Sequence, residues 1–301
     1  EIKRTAKGIS IAQSPQRRQA RRALDVEVHV PSRFDLEIDT MGGSIAVTGV
    51  EGKLGGRTMG GELELTRVGG TLAMSTHGGD VTLRDATVDG SVTTMGGEVL
   101  FENVVGDVKG TSMGGNVVYR NVTTRTGAST GKAVHITTMG GEIEVSTAPE
   151  GAELSTMGGD IEVGSARRYV KAKTMGGSID IASIDGWVEA TTMGGDVDVV
   201  MVGNPAQGDR HVTIDSKGGE IDLTLPAGLD AEFDIQIAFT KNSKRNYEIT
   251  SDFPLQTTVS PEWQYGGGDA RRVIQGRGKT GSGKNKVVIR TINGDVKISK
   301  K

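Results

Sequence analysis

The fold class predicted by the sequence is all-β: a parallel, right-handed β-solenoid with about 18 residues per coil, two nine-residue halves to the coil, capped at its C-terminal end. Recurrence is the first reason. Met41, Met59, His77, Met95 and Met113 stand at one constant spacing, which returns in Met139, Met157, Met175 and Met193, each inside a phrase such as DTMGGSIAV or STMGGDIEV. A fixed period of this kind means one unit stacked on itself. The second reason is a nine-residue word within the unit. After each glycine turn polar and apolar residues alternate, as in Ile143 and Val145 beside Glu142 and Glu144, which is the period of a strand with one buried face. Composition is the third. With 46 glycines, 4% aromatic residues and no cysteine, the core must use Ile, Val, Leu, Met and Thr, and no disulfide, thiolate zinc site or cysteine nucleophile is available.

The elements follow in order. Residues 1–23 form a basic N-terminal arm, in which SPQRRQARRA is expected as one short helix begun by Ser14 and Pro15. The repeat body spans residues 24–225 and opens on LDVEVHV and RFDLEIDT as its first strands. Two short strands and two turns close each coil, and Gly43, Gly61 and Gly79 stand where a turn needs positive φ or close passage of the neighbouring coil. Two steps are longer than the rest, from Met113 to Met139 and from Met193 to Lys217, and hold TTRTGASTGK and GNPAQGD, expected as loops inserted at a corner. Ten registered turns and a degenerate one at TINGDVKI imply a rod of ~50 Å from the strand spacing. Residues 226–301 read as cap and last coil, because AEFDIQIAF, NYEITSDF and a Gly-rich run to residue 285 break the period and a stack end needs cover. Right-handedness follows the usual sense of parallel crossovers, and a left-handed hexapeptide helix would show a six-residue word instead.

On the recurring T-x-x-G-[DES]-[IV]-x-[VIL] word, on LPAGLDAEFDI and on the ending VVIRTINGDVKI, the chain from about residue 24 onward resembles the bacterial adhesin-like β-strand-repeat family related to auto-transporter adhesin head domains. The resemblance implies a β-solenoid exposed at the bacterial envelope or secreted, acting in adhesion, surface structure or envelope-stress sensing, without known catalysis. The strict M-G-G version of the word and the basic arm depart from that family. The first residue, Glu1, fits a removed export signal and equally a trimmed start.

Charge is segregated. Residues 1–33 carry +5 and residues 262–301 carry +7, which leaves −15 on the stretch between them within a net charge of −3. An acidic body invites a cationic partner or its own basic ends, and no nucleic-acid partner is expected of it. No apolar run approaches the ~18 residues of a membrane span. The later repeats concentrate nine outward carboxylates on one strip: Glu142, Glu144, Asp160, Glu162, Asp180, Asp196, Asp198, Glu220 and Asp222. Early counterparts of Glu144 and Glu162 are Ala46, Glu64, Thr82, Leu100 and Val118. Carboxylates one coil apart repel by ~0.9 kcal/mol even in water, so the strip is a candidate site for a basic partner or loosely bound calcium, against the plainer reading of a solvated face. The calcium-roll word G-G-x-G-x-D-x-U-x is not met by GGDIEVGSA, which lacks the fourth-position Gly and the sixth-position Asp.

Other columns read differently. The methionine column is expected as a corner packed with soft apolar side chains, partly buried because His77 and Lys217 share it, although stacked thioethers also suit copper(I). The threonine column through Thr58, Thr76 and Thr94 is expected to point inward, unlike an ice-binding array. GKTGSGKN nearly spells a phosphate-binding loop, but Asn285 replaces the required Ser or Thr and KVVIRTI follows as a strand. Carboxylate pairs on β-helices can cleave polysaccharides, so a lyase or hydrolase using the acidic face is the alternative function. Here the pairs recur as a lattice, whereas an active site is a singular departure, and a non-enzyme with no cofactor and no metal centre is expected. The arm residues Lys3, Arg4, Lys7, Arg17, Arg18, Arg21 and Arg22 are candidates for self-assembly on an acidic body, in a homo-oligomer or a head-to-tail filament.

Overall fold

The computed structural model describes residues 2–5, 8–12, 25–123, 133–243, 245–264 and 269–301. Among them the chain is all-β, without a helix: 23 strands make one large, mostly parallel sheet that does not close on itself, and Ile2–Thr5 with Gly8–Ile11 make a separate antiparallel pair. The helix expected over residues 14–23 and the first inserted loop lie outside the described residues.

Sequence period becomes register. Before the Gly-Gly turn, Leu36 lies opposite Leu54 and Leu54 opposite Leu72; after it, Ile45 lies opposite Leu63 and Leu63 opposite Val81, every pair parallel and one sequence period apart. The alternation puts one apolar face inside. Ile45, Leu63, Val81, Val99 and Val117 continue in register into Ile143, Ile161, Ile179, Val197 and Ile221, and all of them are buried. Stacking like on like gives Leu63 to Ile221 of this row an apolar neighbour on each side, and packing of this kind holds a chain without disulfides. In the next inward row, Phe101 and Tyr119 stack with ring centroids 4.7 Å apart, and the space for them comes from Gly110, whose N–H donates to the Tyr119 hydroxyl at 2.6 Å.

Most Gly-Gly corners are tied by a threonine, and two by a serine. Thr58 donates its hydroxyl to the Gly43 carbonyl at 2.9 Å and accepts the Gly61 N–H at 3.1 Å; Thr76, Thr94, Thr156 and Thr174 make both bonds at their own corners. These threonines are buried, as expected. The second glycine of each pair is there for close approach, since a Cβ on Gly61 or Gly79 would overlap the carbonyl oxygen of the glycine one repeat earlier; neither has positive φ. Positive φ occurs instead at the opposite corner, at Gly49, Arg67, Asp85, Asn103 and Asn121, where Asn121 Nδ2 donates to Asn103 Oδ1 and Asn103 Nδ2 to Asp85 Oδ1. Asn and Asp tolerate this conformation; the Arg67 backbone is strained by it.

The C-terminal part departs from chain order. Asn285–Ile292 pairs with Val212–Ser216 on one side and with Ala231–Thr240 on the other, both parallel, so Val287 lies between Val212 and Phe233. Val296–Lys300 is likewise held between Ile221–Leu225 and Ile249–Ser251. The degenerate repeat at TINGDVKI is therefore not the end of the stack. Beyond it lie Ala231–Thr240 and then the antiparallel strands Arg271–Lys279 and Leu255–Val259.

Candidate functional site: a file of carboxylates and a ridge of methionines

Strict register converts the acidic strip into two parallel files with different duties. In the first, the position after Gly-Gly serves the neighbouring backbone. Asp160 Oδ1 accepts the Ser178 N–H at 2.7 Å, Ser178 Oγ accepts the Asp196 N–H at 3.2 Å, and Asp196 Oδ1 accepts the Glu220 N–H at 2.7 Å. Ser44, Asp80 and Asn116 do the same in earlier repeats. The turn chemistry expected at this position thus acts on the next repeat rather than locally. Glu142, too long for that geometry, lies half-buried, and Glu220 binds Arg245 Nη2 at 3.0 Å.

The second file is the candidate site. Glu144, Glu162, Asp180, Asp198 and Asp222 are successive register partners, on residues whose neighbours along the strand are buried. Cations close both ends. Arg120 grips Glu144 through Nε–Oε1 at 3.3 Å and Nη2–Oε2 at 3.1 Å, and Lys297, opposite Asp222, stands 4.0 Å from its Oδ1. Between them Glu162, Asp180 and Asp198 face one another. Partial burial, reinforced by the carboxylates of Glu142, Asp180, Glu144 and Asp160, pushes the Glu162 carboxyl above its usual range. Burial does the same to Asp198, with Asp222, Asp180 and Asp196 adding to it and Lys297 opposing. A single file does not wrap an ion: among the described residues no group of three or more His, Asp or Glu side chains is disposed to hold a metal. What the file offers is a line of negative charge with a fixed repeat.

The methionine column is placed differently from its expectation. Met41, Met59, Met95, Met113, Met139, Met157, Met175 and Met193 are all exposed; at each of these corners after the first, the preceding buried Thr or Ser fills the inside and the thioether turns outward. The remaining two methionines, Met74 and Met201, sit in the core. The four histidines stay apart: His77 is in the exposed column, His29 and His135 stand beside Glu27 and Glu153, and His211 stacks on Trp187, itself stacked on Tyr169.

Two polar knots escape a reading of the sequence. The loop within GKTGSGKN wraps an anion that the chain itself supplies, since Asp230 Oδ1 accepts the N–H groups of Gly283 and Lys284 and Oδ2 accepts the Ser282 hydroxyl at 2.7 Å. Those bonds, the Ser282 one foremost, hold the Asp230 carboxyl down to about 2. The likeness to a phosphate loop is the available signal, and successive backbone N–H groups, here of Gly283 and Lys284, make such a nest for an anion. The second knot is Arg210, buried, which donates to the carbonyls of Val202, Asn204 and Gln207 and to Asp185, and so ties the second inserted loop to the sheet. Of the arm residues, Lys3 and Arg4 belong to the strand Ile2–Thr5; Lys7, Arg17, Arg18, Arg21 and Arg22 lie outside the described residues. No helix among the described residues is long and apolar enough to cross a membrane. No family model, no curated protein and no solved structure matches this chain.

Proposed function

We propose that the chain is a right-handed β-solenoid that works without catalysis as an exported, adhesin-like or structural module of the bacterial surface, and that its acidic file is the face it offers to cations or a basic partner. The parallel register, one sequence period per step, supports the solenoid, since each pair of strands repeats the last along one direction. The resemblance of the repeated word to surface β-strand repeats supports the location. The observation that carries the binding role is the run Glu144, Glu162, Asp180, Asp198 and Asp222, whose two ends are met by Arg120 and Lys297 while its interior carboxylates face each other. A face kept only for solubility gains nothing from aligned, mutually repelling carboxylates. The basic end regions supply a matching charge on the same chain, which favours head-to-tail association of copies.

Calorimetric titration with calcium and with poly-lysine tests the reading. The protein with Glu162→Gln, Asp180→Asn and Asp198→Asn is expected to bind either probe at least tenfold more weakly at low salt. Equal binding by both proteins reduces the file to a solvated face. Turnover of acidic or neutral polysaccharides, lost in the same variant, replaces the binding role by a lyase or hydrolase.

A further inference from the structure

Two letters of the T-M-G-G word, the methionine and the first glycine, carry no structural duty inside the fold. Threonine ties the corner by two hydrogen bonds, and the second glycine lets neighbouring repeats approach. Methionine does neither. Its eight members are between 41% and 78% exposed, whereas Met74 and Met201 are 4% and 0% exposed. Backbone bonds fix the column at the repeat spacing: the Met139 N–H donates to the Met113 carbonyl at 3.1 Å and the Met157 N–H to the Met139 carbonyl at 3.2 Å. An apolar ridge on an otherwise polar surface, interrupted between Met59 and Met95 by His77, is the mark of an interface.

The column has a shape as well as a polarity. Beside each thioether stands the first glycine of the pair, Gly42, Gly60 and Gly96 among them, all exposed and carrying no side chain. A ridge of flexible thioethers thus runs next to a furrow of bare backbone, both with the strand spacing of ~4.8 Å. The surface that matches this spacing along its whole length is another copy of the same column. The flanks decide the direction. Past the furrow lie Glu62, Asp80, Glu98, Glu142, Asp160 and Asp196; the other side of the ridge is mostly hydroxyl, Ser75, Thr93, Thr137 and Ser155 among them, with Lys173 and with Arg57, which pairs with Asp39. A two-fold axis along the stack sets each ridge into the partner's furrow and brings the acidic flank against the mostly hydroxyl flank, away from the partner's acids. The antiparallel arrangement sets ridge on ridge and acid on acid.

We propose that two copies of this chain associate side by side and parallel through the Met41 to Met193 column, ridge into furrow, as a closed two-fold dimer. This rests on the strand register and not on the role given to the acidic file. The charge of −15 between the basic end regions opposes the contact, so the dimer tightens as salt rises, opposite to a contact made by ion pairs.

Sedimentation velocity on the full chain reads the association. A concentration-dependent dimer, strengthened by salt, is expected, and Met113→Gln, Met139→Gln, Met157→Gln and Met175→Gln together are expected to weaken it at least tenfold while the circular dichroism spectrum stays unchanged. A monomer at every concentration and salt level overturns the proposal, as does a dimer indifferent to the four substitutions. Because the chain has no cysteine, single thiols report orientation even if that variant folds poorly. A short thiol crosslinker is expected to join Met59→Cys chains to one another and Met175→Cys chains to one another, and not the first kind to the second. Mixed products at equal yield overturn the parallel arrangement.

Discussion

The hydroxyl of Thr76 donates to the carbonyl of Gly61, 2.8 Å away in the preceding repeat. The same oxygen accepts the N–H of Gly79 at 3.2 Å, so one buried atom satisfies two backbone groups that have turned a corner away from any strand partner. Replacing Thr76 by valine keeps the shape and strands both groups. A loss of about 1–3 kcal/mol is expected in urea unfolding, and Thr76→Ser is expected to recover most of it. The column already tolerates the shorter residue: Ser112 makes both bonds, to the Gly97 carbonyl at 2.8 Å and from the Gly115 N–H at 2.9 Å.

The two glycines of one turn are expected to respond unequally. A Cβ on Gly177 would overlap the Gly159 carbonyl oxygen, whereas a Cβ on Gly176 meets nothing nearer than 3.4 Å. Gly177→Ala is therefore expected to cost about 1–3 kcal/mol by forcing adjacent repeats apart. Gly176→Ala is expected to stay within about 0.5 kcal/mol of the parent. Thermal unfolding of the pair measures the difference.

Neutralising the middle of the acidic file is expected to stabilise the protein. Glu162 and Asp198 hold their protons to a higher pH in the folded chain than their ordinary values of 4.5 and 3.8. The folded state thus binds more protons than the unfolded one, and stability rises as pH falls from above the raised values toward the ordinary ones. Glu162→Gln with Asp198→Asn is expected to raise the melting temperature at pH 7 and low salt, and the gain is expected to shrink as salt is added. A melting temperature that does not move removes repulsion as a cost of the fold.

Asp230 has the opposite sign. Its carboxyl falls from 3.8 to about 2 on folding, so its contribution is complete above 3.8 and is lost as pH drops through 2. Asp230→Gly removes the carboxylate and leaves the N–H groups of Gly283 and Lys284 without their acceptor. The variant is expected to melt lower than the parent and to regain part of the difference in sulfate, which enters the vacated nest. Equal response of both proteins to sulfate, against a chloride control of matched ionic strength, refutes the nest.

Period and alternation make the body of the fold legible, because one buried face and one stacking distance leave a repeated word few ways to pair. Ile143 and Val145 point inward where the pattern places them, and Thr58 is buried as read. Side-chain partners are less legible. Hydrophobicity alone assigns the methionines to a packed corner, but the corner is already full once threonine bonds to both glycines. Charge looks alike in a sequence and groups Asp160 and Asp196 with Glu162 and Asp198. Register separates them, giving the first two backbone N–H groups to hold and the second two a line of like charges. Chain order misleads at the end, since no local pattern announces that Val287 pairs with Val212, far earlier in the chain.

That pairing bears on how the molecule is made. Residues 285–300 are synthesised after every strand they pair with, yet they fill a place with strands on both sides of them. The earlier repeats can close one upon another as they emerge, in the order of synthesis, while Ile221–Leu225 and Ile249–Ser251 wait for a strand not yet translated. A message cut short before that point yields a chain with two open edges facing a one-strand gap, a state prone to pairing with the wrong neighbour. This part of the sheet therefore seals only when translation has passed residue 300.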